Sequence, residues 1–426
     1  MWTDDKSNDV QSVAVKCLSI LLRKVNHAQI REICDKLSSL LLDGSAALTD
    51  IYSIGLKTMI SDAPADVGVL LANGLCGRLL NGISRTGSEN VKKECMDILS
   101  DLLRRFGHFC ESDHSDVMVT LVRQLEFEKT PIRKRAAVCL ASLATVSTDQ
   151  LLNRMIETIL EQVDRSERGQ SASADTQTLI QTVGMVSRTV GHRLGRHLPK
   201  LVPLFLRFCG DANDENQQSE AVNELRENCF PGLESFVLRC PREVQQYCSE
   251  IVRVCVSFAA YDPNYSYDGD GSDDGGDHEE QGVDGDDFDD EGDEDGGYSD
   301  DDDSSWKVRK NAVRVLLAVV QSNSPDSLLA IAKQYGGFFV SRFKEREENV
   351  RVDIIVCFNA LLQGLGVVVG GLDVVRGLVS AVLTACSKQL AHTVQSPKTK
   401  SAVFAVLLTL VGIAPVLCLS TFLPIV

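Results

Sequence analysis

Along this chain a charged or polar start is followed by apolar residues at i, i+4 and i+8, and the unit keeps returning. It runs from Val10 to Leu18, Leu48 to Leu56, Val91 to Leu99, Ile132 to Leu140, Val308 to Leu316 and Val350 to Phe358. Weaker copies start near Thr176, Leu225 and Thr399. That spacing of apolar residues makes one stripe along a helix. Before several copies lies a second apolar run: Ile30 to Leu42, Val117 to Leu125, Leu151 to Val163 and Leu198 to Cys209. Each repeat therefore reads as helix A, a short turn and helix B. Most strong copies recur about 38 to 43 residues apart, the period of HEAT and armadillo repeats. The expected fold is all-α: a superhelical solenoid of helical hairpins that bury their stripes by stacking. An ordinary helical bundle would have to produce six clear copies by accident.

Two positions in the unit have a physical role. A small residue in the middle (Ala14, Ala136, Ala312) lets the neighbouring helix approach closely. An Arg or Lys at the second position falls in the first turn of helix B, where an acidic residue of the preceding turn is its expected partner.

Composition agrees with stacked helices: 44% of residues are hydrophobic and only 6% aromatic. The formal net charge of −17 argues against nucleic acid and anionic lipid as partners, but it has a local origin. Asp268 to Asp303 holds about 20 acidic residues and no Lys or Arg, which leaves the rest near +3. The expected organisation is N-terminal repeats over 1–260, an acidic disordered loop over 261–305, and further repeats over 306–426. The loop interrupts one repeat, between helix A (Val244 to Phe258) and helix B (Trp306 to Val320). Its Asp-Gly-Asp patterns lack the ordered frame and closing Glu of a calcium loop. Ser299, followed by Asp300, Asp301 and Asp302, has the form of an acid-directed phosphorylation site.

The 14 cysteines form no C-x-x-C pair and sit mostly in apolar runs, as buried reduced thiols would. They point to a reducing compartment, cytoplasm and nucleus, and Met1 to Lys6 does not begin a secretory signal. The uncharged stretch from Ser401 is interrupted by Pro415 and Pro424, so repeat helices are expected there rather than a membrane span.

No catalytic constellation is apparent. His108 and His114 are six apart and His192 and His197 five apart, so neither pair shares a helix face for a metal. No phosphate-binding loop, nucleophile elbow or kinase signature occurs. No cofactor and no small-molecule substrate are expected. The candidate partner-binding residues are the basic helix starts Arg133, Lys134, Arg135, Lys307, Arg309 and Lys310.

Several stretches resemble one family. They are Val13 to Leu18, Ser53 to Thr58, Gly191 to Gly195, Arg239 to Val244 and Ser341 to Val350. The most specific is Tyr261-Asp-Pro-Asn-Tyr265, the acidic run, then Trp306-Lys-Val-Arg309. The chain is similar to the N-terminal portion of the cullin-associated and neddylation-dissociated family, HEAT-repeat exchange factors of cullin-RING ubiquitin ligases. The resemblance runs from about Val10 to Phe358. It departs at three places: a further repeat expected before Val10, an apparent insertion over Asn216 to Leu225, and the Gly-rich run Gly364 to Gly377. It implies a non-catalytic scaffold with a cullin and its RING subunit as partners. It also implies that the adaptor-displacing C-terminal repeats lie outside this sequence, and that the repeats present cover the modifier-acceptor region of the cullin. An importin-β-type transport receptor and a phosphatase-type scaffold share the fold, so the fold alone does not choose among them.

Overall fold

The computed structural model describes residues 8–22, 24–44, 46–85, 88–168, 176–214, 217–262, 305–391 and 396–415. Among them every regular element is helical. The first is α1 (Asn8–Leu22). Eight hairpins follow, in which an A helix packs on the B helix after it. They are α2 (His27–Asp43) with α3 (Thr49–Asp62), α4 (Gly68–Ser84) with α5 (Glu89–Phe106), α6 (His114–Gln124) with α7 (Thr130–Val146), and α8 (Asp149–Glu167) with α9 (Thr176–Val190). Next come α10 (Leu198–Cys209) with α11 (Glu220–Arg239), the single turn α12 (Pro241–Val244), and α13 (Cys248–Ala259) with α14 (Ser305–Ser322). The last are α15 (Pro325–Ser341) with α16 (Glu348–Leu365), and α17 (Gly371–Ala391) with α18 (Pro397–Ile413). All nine copies of the sequence unit, strong and weak, are B helices, counting α1.

Local chemistry sets the helix starts. Asn26 caps α2 in a reciprocal box with Gln29, each side chain meeting the other's backbone N–H at 3.0 Å. Thr148 caps α8 through the Leu151 N–H, and Ser396 caps α18 through the Thr399 N–H. Pro131 opens α7, where its missing N–H costs nothing. At the Gly-rich stretch after α16, Gly370 takes φ +81° and turns the chain into α17.

B helices stack on one another along the whole molecule, from α1 on α3 through α11 on α14 to α16 on α18. A helices meet more sparsely: α2 packs on α4 and α15 on α17, but contacts thin out from α4 to α13. The close approach of B helices needs small residues. Ala136 and Ala312 are fully buried. A Cβ on Gly184 would lie 3.5 Å from the Gly232 Cα, where α9 meets α11. Serines replace apolar contact at two of these seams: Ser100 and Ser142 share a hydrogen bond of 2.7 Å, and Ser187 and Ser235 one of 2.8 Å.

The second-position basic residue does something different from expectation. The partners it has in common from repeat to repeat are backbone carbonyls at the end of the A helix or in the A–B turn; at Arg309 the Asp262 and Glu345 carboxylates join them. Lys92 reaches Ile83 O at 2.8 Å. Arg133 reaches Phe127 O and Glu128 O, Arg226 reaches Cys209 O, Arg309 reaches Tyr261 O, and Arg351 reaches Glu345 O and Arg346 O. Carbonyls in the last turn of a helix lack intrahelical donors and carry its negative dipole end, so a cation with several N–H groups suits them. Burial inside the hairpin then stiffens the A–B turn.

Candidate partner-binding face

The same helical register that buries positions five and nine of the unit turns position seven outward. Lys16, Ile54, Asp97, Val138, Arg314 and Val356 hold that position on α1, α3, α5, α7, α14 and α16, and none is buried. Ile54, Val138 and Val356 are apolar yet about 40% exposed (45%, 37% and 41%). Scattered exposed apolar residues are ordinary, but these recur at one register on one layer. The result is a continuous surface of B helices with apolar residues set among charges.

A ladder of charge crosses this surface. Lys57 of α3 pairs with Glu94 at 3.1 Å and Asp97 at 3.6 Å on α5, and Arg135 of α7 closes on the same Asp97. Arg104 of α5 lies 3.6 Å from Asp101 and donates to Ser142 of α7 at 3.2 Å. Two shallow dishes adjoin Arg104. One is lined by Lys57, Ser61 and Asp101, the other by Val138, Ser142, Met185 and Arg188. Burial pushes the Asp101 carboxyl above its usual range, against the pull of Arg104 and Lys57. Glu227 and Asp353 are raised for the same reason, opposed by Lys307 and by Lys310 with Arg314. Half-buried carboxylates beside cations form a surface whose charge a partner can complete or displace.

The six basic residues singled out in the sequence separate into two groups. Arg133 and Arg309 are interior side chains, 9% and 0% exposed, held by the carbonyls described above. Their burial takes both out of the surface that a partner would meet, contrary to the expectation from the sequence. Lys134 and Lys307 are exposed, Arg135 belongs to the ladder, and Lys310 is half-buried near Asp353. Arg135 is thereby placed with Lys57, Asp101, Arg104, Val138, Met185 and Arg188, which the reading of motifs did not select. The signal for several of them was present: Val138 holds the outward position of its unit, and Lys57, Asp101 and Arg104 lie three, four and seven residues beyond that position on α3 and α5, on the same helix face. Ser299 lies outside the described residues, as do the acidic run and the end of the chain from residue 416.

One thiol and one imidazole come close enough to suggest chemistry. His114 Nε2 and the Gly107 carbonyl are 2.9 Å apart, and Cys110 Sγ donates to the same carbonyl at 3.3 Å. The adjacent Cys76 thiol lowers the Cys110 thiol pKa, burial opposes the shift, and His114 adds to it. A low thiol pKa beside a histidine is a feature of nucleophilic sites. Here Cys76, Cys110 and His114 are all at most 2% exposed, packed between α4 and the start of α6, so no substrate reaches them. No group of three metal-ligating side chains occurs among the described residues.

No family model matches the chain. Individual relatives do. The cullin-associated NEDD8-dissociated protein 1 of Dictyostelium discoideum is 36% identical over 427 residues, covering 97% of this chain and 34% of its own length. Its namesake in Arabidopsis thaliana is 34% identical over 97% of the chain. The chain is a homologue of the cullin-associated NEDD8-dissociated proteins. It spans about a third of the length of these relatives. In Emericella nidulans two separate polypeptides match. One is described as the N-terminal part of such a protein (22% identical, 50% of this chain, 70% of that one). The other is described as the C-terminal part (34% identical, 36% of this chain, 16% of that one). Among solved structures, a crystal structure of importin beta superposes over 99% of the chain and 45% of its own, with a TM-score of 0.67 and 11% identity. At that identity the likeness is one of fold alone.

Proposed function

We propose that this chain is a non-catalytic scaffold that embraces a cullin and its RING subunit, and that it acts in the cytoplasm and nucleus on ligase assembly and cullin neddylation. The observation that carries the reading is the homology over 97% of the chain to proteins named for association with cullins and dissociation of NEDD8. The physics is compatible. A stack of hairpins offers one extended B-helix face, and such a face binds through many modest contacts spread over several repeats. The mixture of charge pairs and isolated apolar side chains on that face suits a folded protein surface better than nucleic acid or lipid.

The test is direct. Purified chain is immobilised and offered an unmodified cullin–RING core, with the nuclear transport GTPase as a parallel arm. Retention of the core and not of the GTPase is expected. At saturating chain the attachment of NEDD8 to the cullin should slow. Retention of the GTPase alone would replace this reading by a transport one. A bound core with an unchanged modification rate would remove the neddylation part.

A further inference from the structure

Of the two dishes beside Arg104, the one that reaches α9 divides its polarity sharply. Helix α7 lies between α5 and α9 in the B layer. Val138 and Ala141 of α7 and Met185 of α9 give the dish an apolar floor, and it encloses about 520 Å³. Hydroxyls line it too, but their protons are spent on backbone. Ser142 Oγ donates to the Val138 carbonyl at 3.2 Å, Thr145 Oγ1 to the Ser142 carbonyl at 2.7 Å, and Thr189 Oγ1 to the Val186 carbonyl at 2.9 Å. The donors left for a visitor are two guanidinium groups, Arg104 on the α5 side and Arg188 on the α9 side. Arg104 is loosely held: Nε donates to Ser142 at 3.2 Å, and its ion pair with Asp101 spans 3.6 Å at the surface. Arg188 is exposed and has no hydrogen bond or ion pair among the described residues. No carboxylate belongs to the lining.

The geometry points to this dish as the seat of an acidic–apolar segment of the cullin–RING core, with an apolar side chain on the Val138–Ala141–Met185 floor and flanking carboxylates on Arg188 and Arg104. This rests on the cullin-binding reading above and names the kind of segment the partner presents. Charge complementarity carries it. Arg188 gives up only water to take a carboxylate, and the Arg104–Asp101 pair is of the exposed kind that contributes little, so exchanging it costs little. A guanidinium meets a carboxylate through two parallel N–H bonds, which fixes orientation as well as charge. The floor supplies apolar burial, and Met185 adapts its shape to what arrives. Arginine around an apolar centre is the composition of protein–protein contact surfaces. A nucleic acid backbone would leave that floor unused and would run against Asp97 and Asp101 on the neighbouring helix.

The experiment titrates the unmodified cullin–RING core into the full chain at about 50, 150 and 300 mM salt. The variants are Arg188→Gln, Arg188→Lys, Arg104→Gln and the double glutamine variant. Arg154→Gln, an exposed arginine of the A layer, makes the same charge change away from the dish. Arg188→Gln should weaken binding about three- to tenfold at low salt, and the double variant more, with a flatter salt dependence. Arg188→Lys should recover part of the loss, and Arg154→Gln should bind as wild type does. Thermal melts accompany each titration; if Arg104→Gln melts early through loss of its Ser142 contact, Arg188 alone decides. A photo-crosslinker placed at Val138 should capture a peptide of the core in which Asp or Glu lies within about one helical turn of an apolar residue. Wild-type chain that fails to bind the core overturns the cullin reading and this inference with it. Wild-type binding that the double variant matches in affinity and salt dependence overturns this inference alone, as does an equal loss in Arg154→Gln or a crosslinked peptide without an acidic residue.

Discussion

Arg133 Nε donates to Thr178 Oγ1 at 3.1 Å, which ties helix α7 to helix α9 of the next repeat. The same guanidinium holds the Phe127 and Glu128 carbonyls of its own A–B turn. One side chain thus fixes a turn and a repeat junction together. Arg133→Ala should cost about 2–3 kcal/mol, because it strands two part-buried carbonyls and the buried Thr178 hydroxyl. Arg135→Ala, two residues along and paired with Asp97 at the surface, should cost less than about 1 kcal/mol. Urea unfolding of the two variants checks the contrast. Equal losses would mean that Arg133 is not the junction residue described.

On the B-helix face the expected separation is between binding and stability. Val138→Glu and Arg188→Glu alter exposed side chains that line one dish. Each should weaken capture of a cullin–RING core by about tenfold or less, and the pair by more, since contacts in a solenoid are many and modest. Melting temperatures should change little, because surface substitutions usually stay within about 0.5 kcal/mol. Calorimetric titration beside thermal melts tests this. Unchanged affinity in the double variant would move the partner to another face.

Helix crossing should respond sharply to a single methyl group at Gly232. A Cβ there would come 2.2 Å from the Phe205 ring, and the ring is held edge-on to Phe236. Gly232→Ala should lose about 1–3 kcal/mol through overpacking. Gly77→Ala, in a helix with open space around it, should gain a few tenths to about 1 kcal/mol. Denaturant midpoints give both signs in one experiment.

Acid should act through His197. It is 6% exposed and lies 2.8 Å from Asn153 Oδ1 through Nε2. Burial, then Arg196, push its pKa below the usual 6.5, with Glu157 pulling the other way. The unfolded chain therefore takes up a proton near pH 6.5 that the folded chain still refuses. Its contribution to stability is complete above that pH and is lost as pH falls through it. His197→Gln keeps a donor for Asn153 and removes the titration. The melting temperature of the variant should fall less than that of the parent between about pH 7 and pH 5.5. An identical fall in both would assign the acid sensitivity elsewhere.

The repeat was legible in the sequence because its stripe is dictated by burial, and burial admits few residue types. The unit around Ile132 and the one around Val350 announce their helices by the same apolar spacing, and even the weak start near Thr176 belongs to a B helix. What could not be read was the use of the conserved-looking charge within the unit. A carbonyl leaves no mark on the sequence, so the pattern alone points Arg133 and Arg309 to carboxylates. For Arg309 that expectation is half right, since Asp262 and Glu345 join the Tyr261 carbonyl. The pairing of Cys110 with His114 and Cys76 was likewise hidden, because the third member comes from a different helix.

The unequal layers have a mechanical consequence. Because B helices are in contact along the entire stack while the A helices between α4 and α13 meet sparsely, small rotations between repeats are cheapest about an axis running along the B layer. Bending then opens or narrows the A-side gaps and leaves the B seams, with their serine pairs and glycine crossing, as the hinge line. The molecule behaves as a strip with one stiff edge and one compliant edge. It can adjust its curvature to the object it encloses by small changes shared among many repeats, with no single joint giving way.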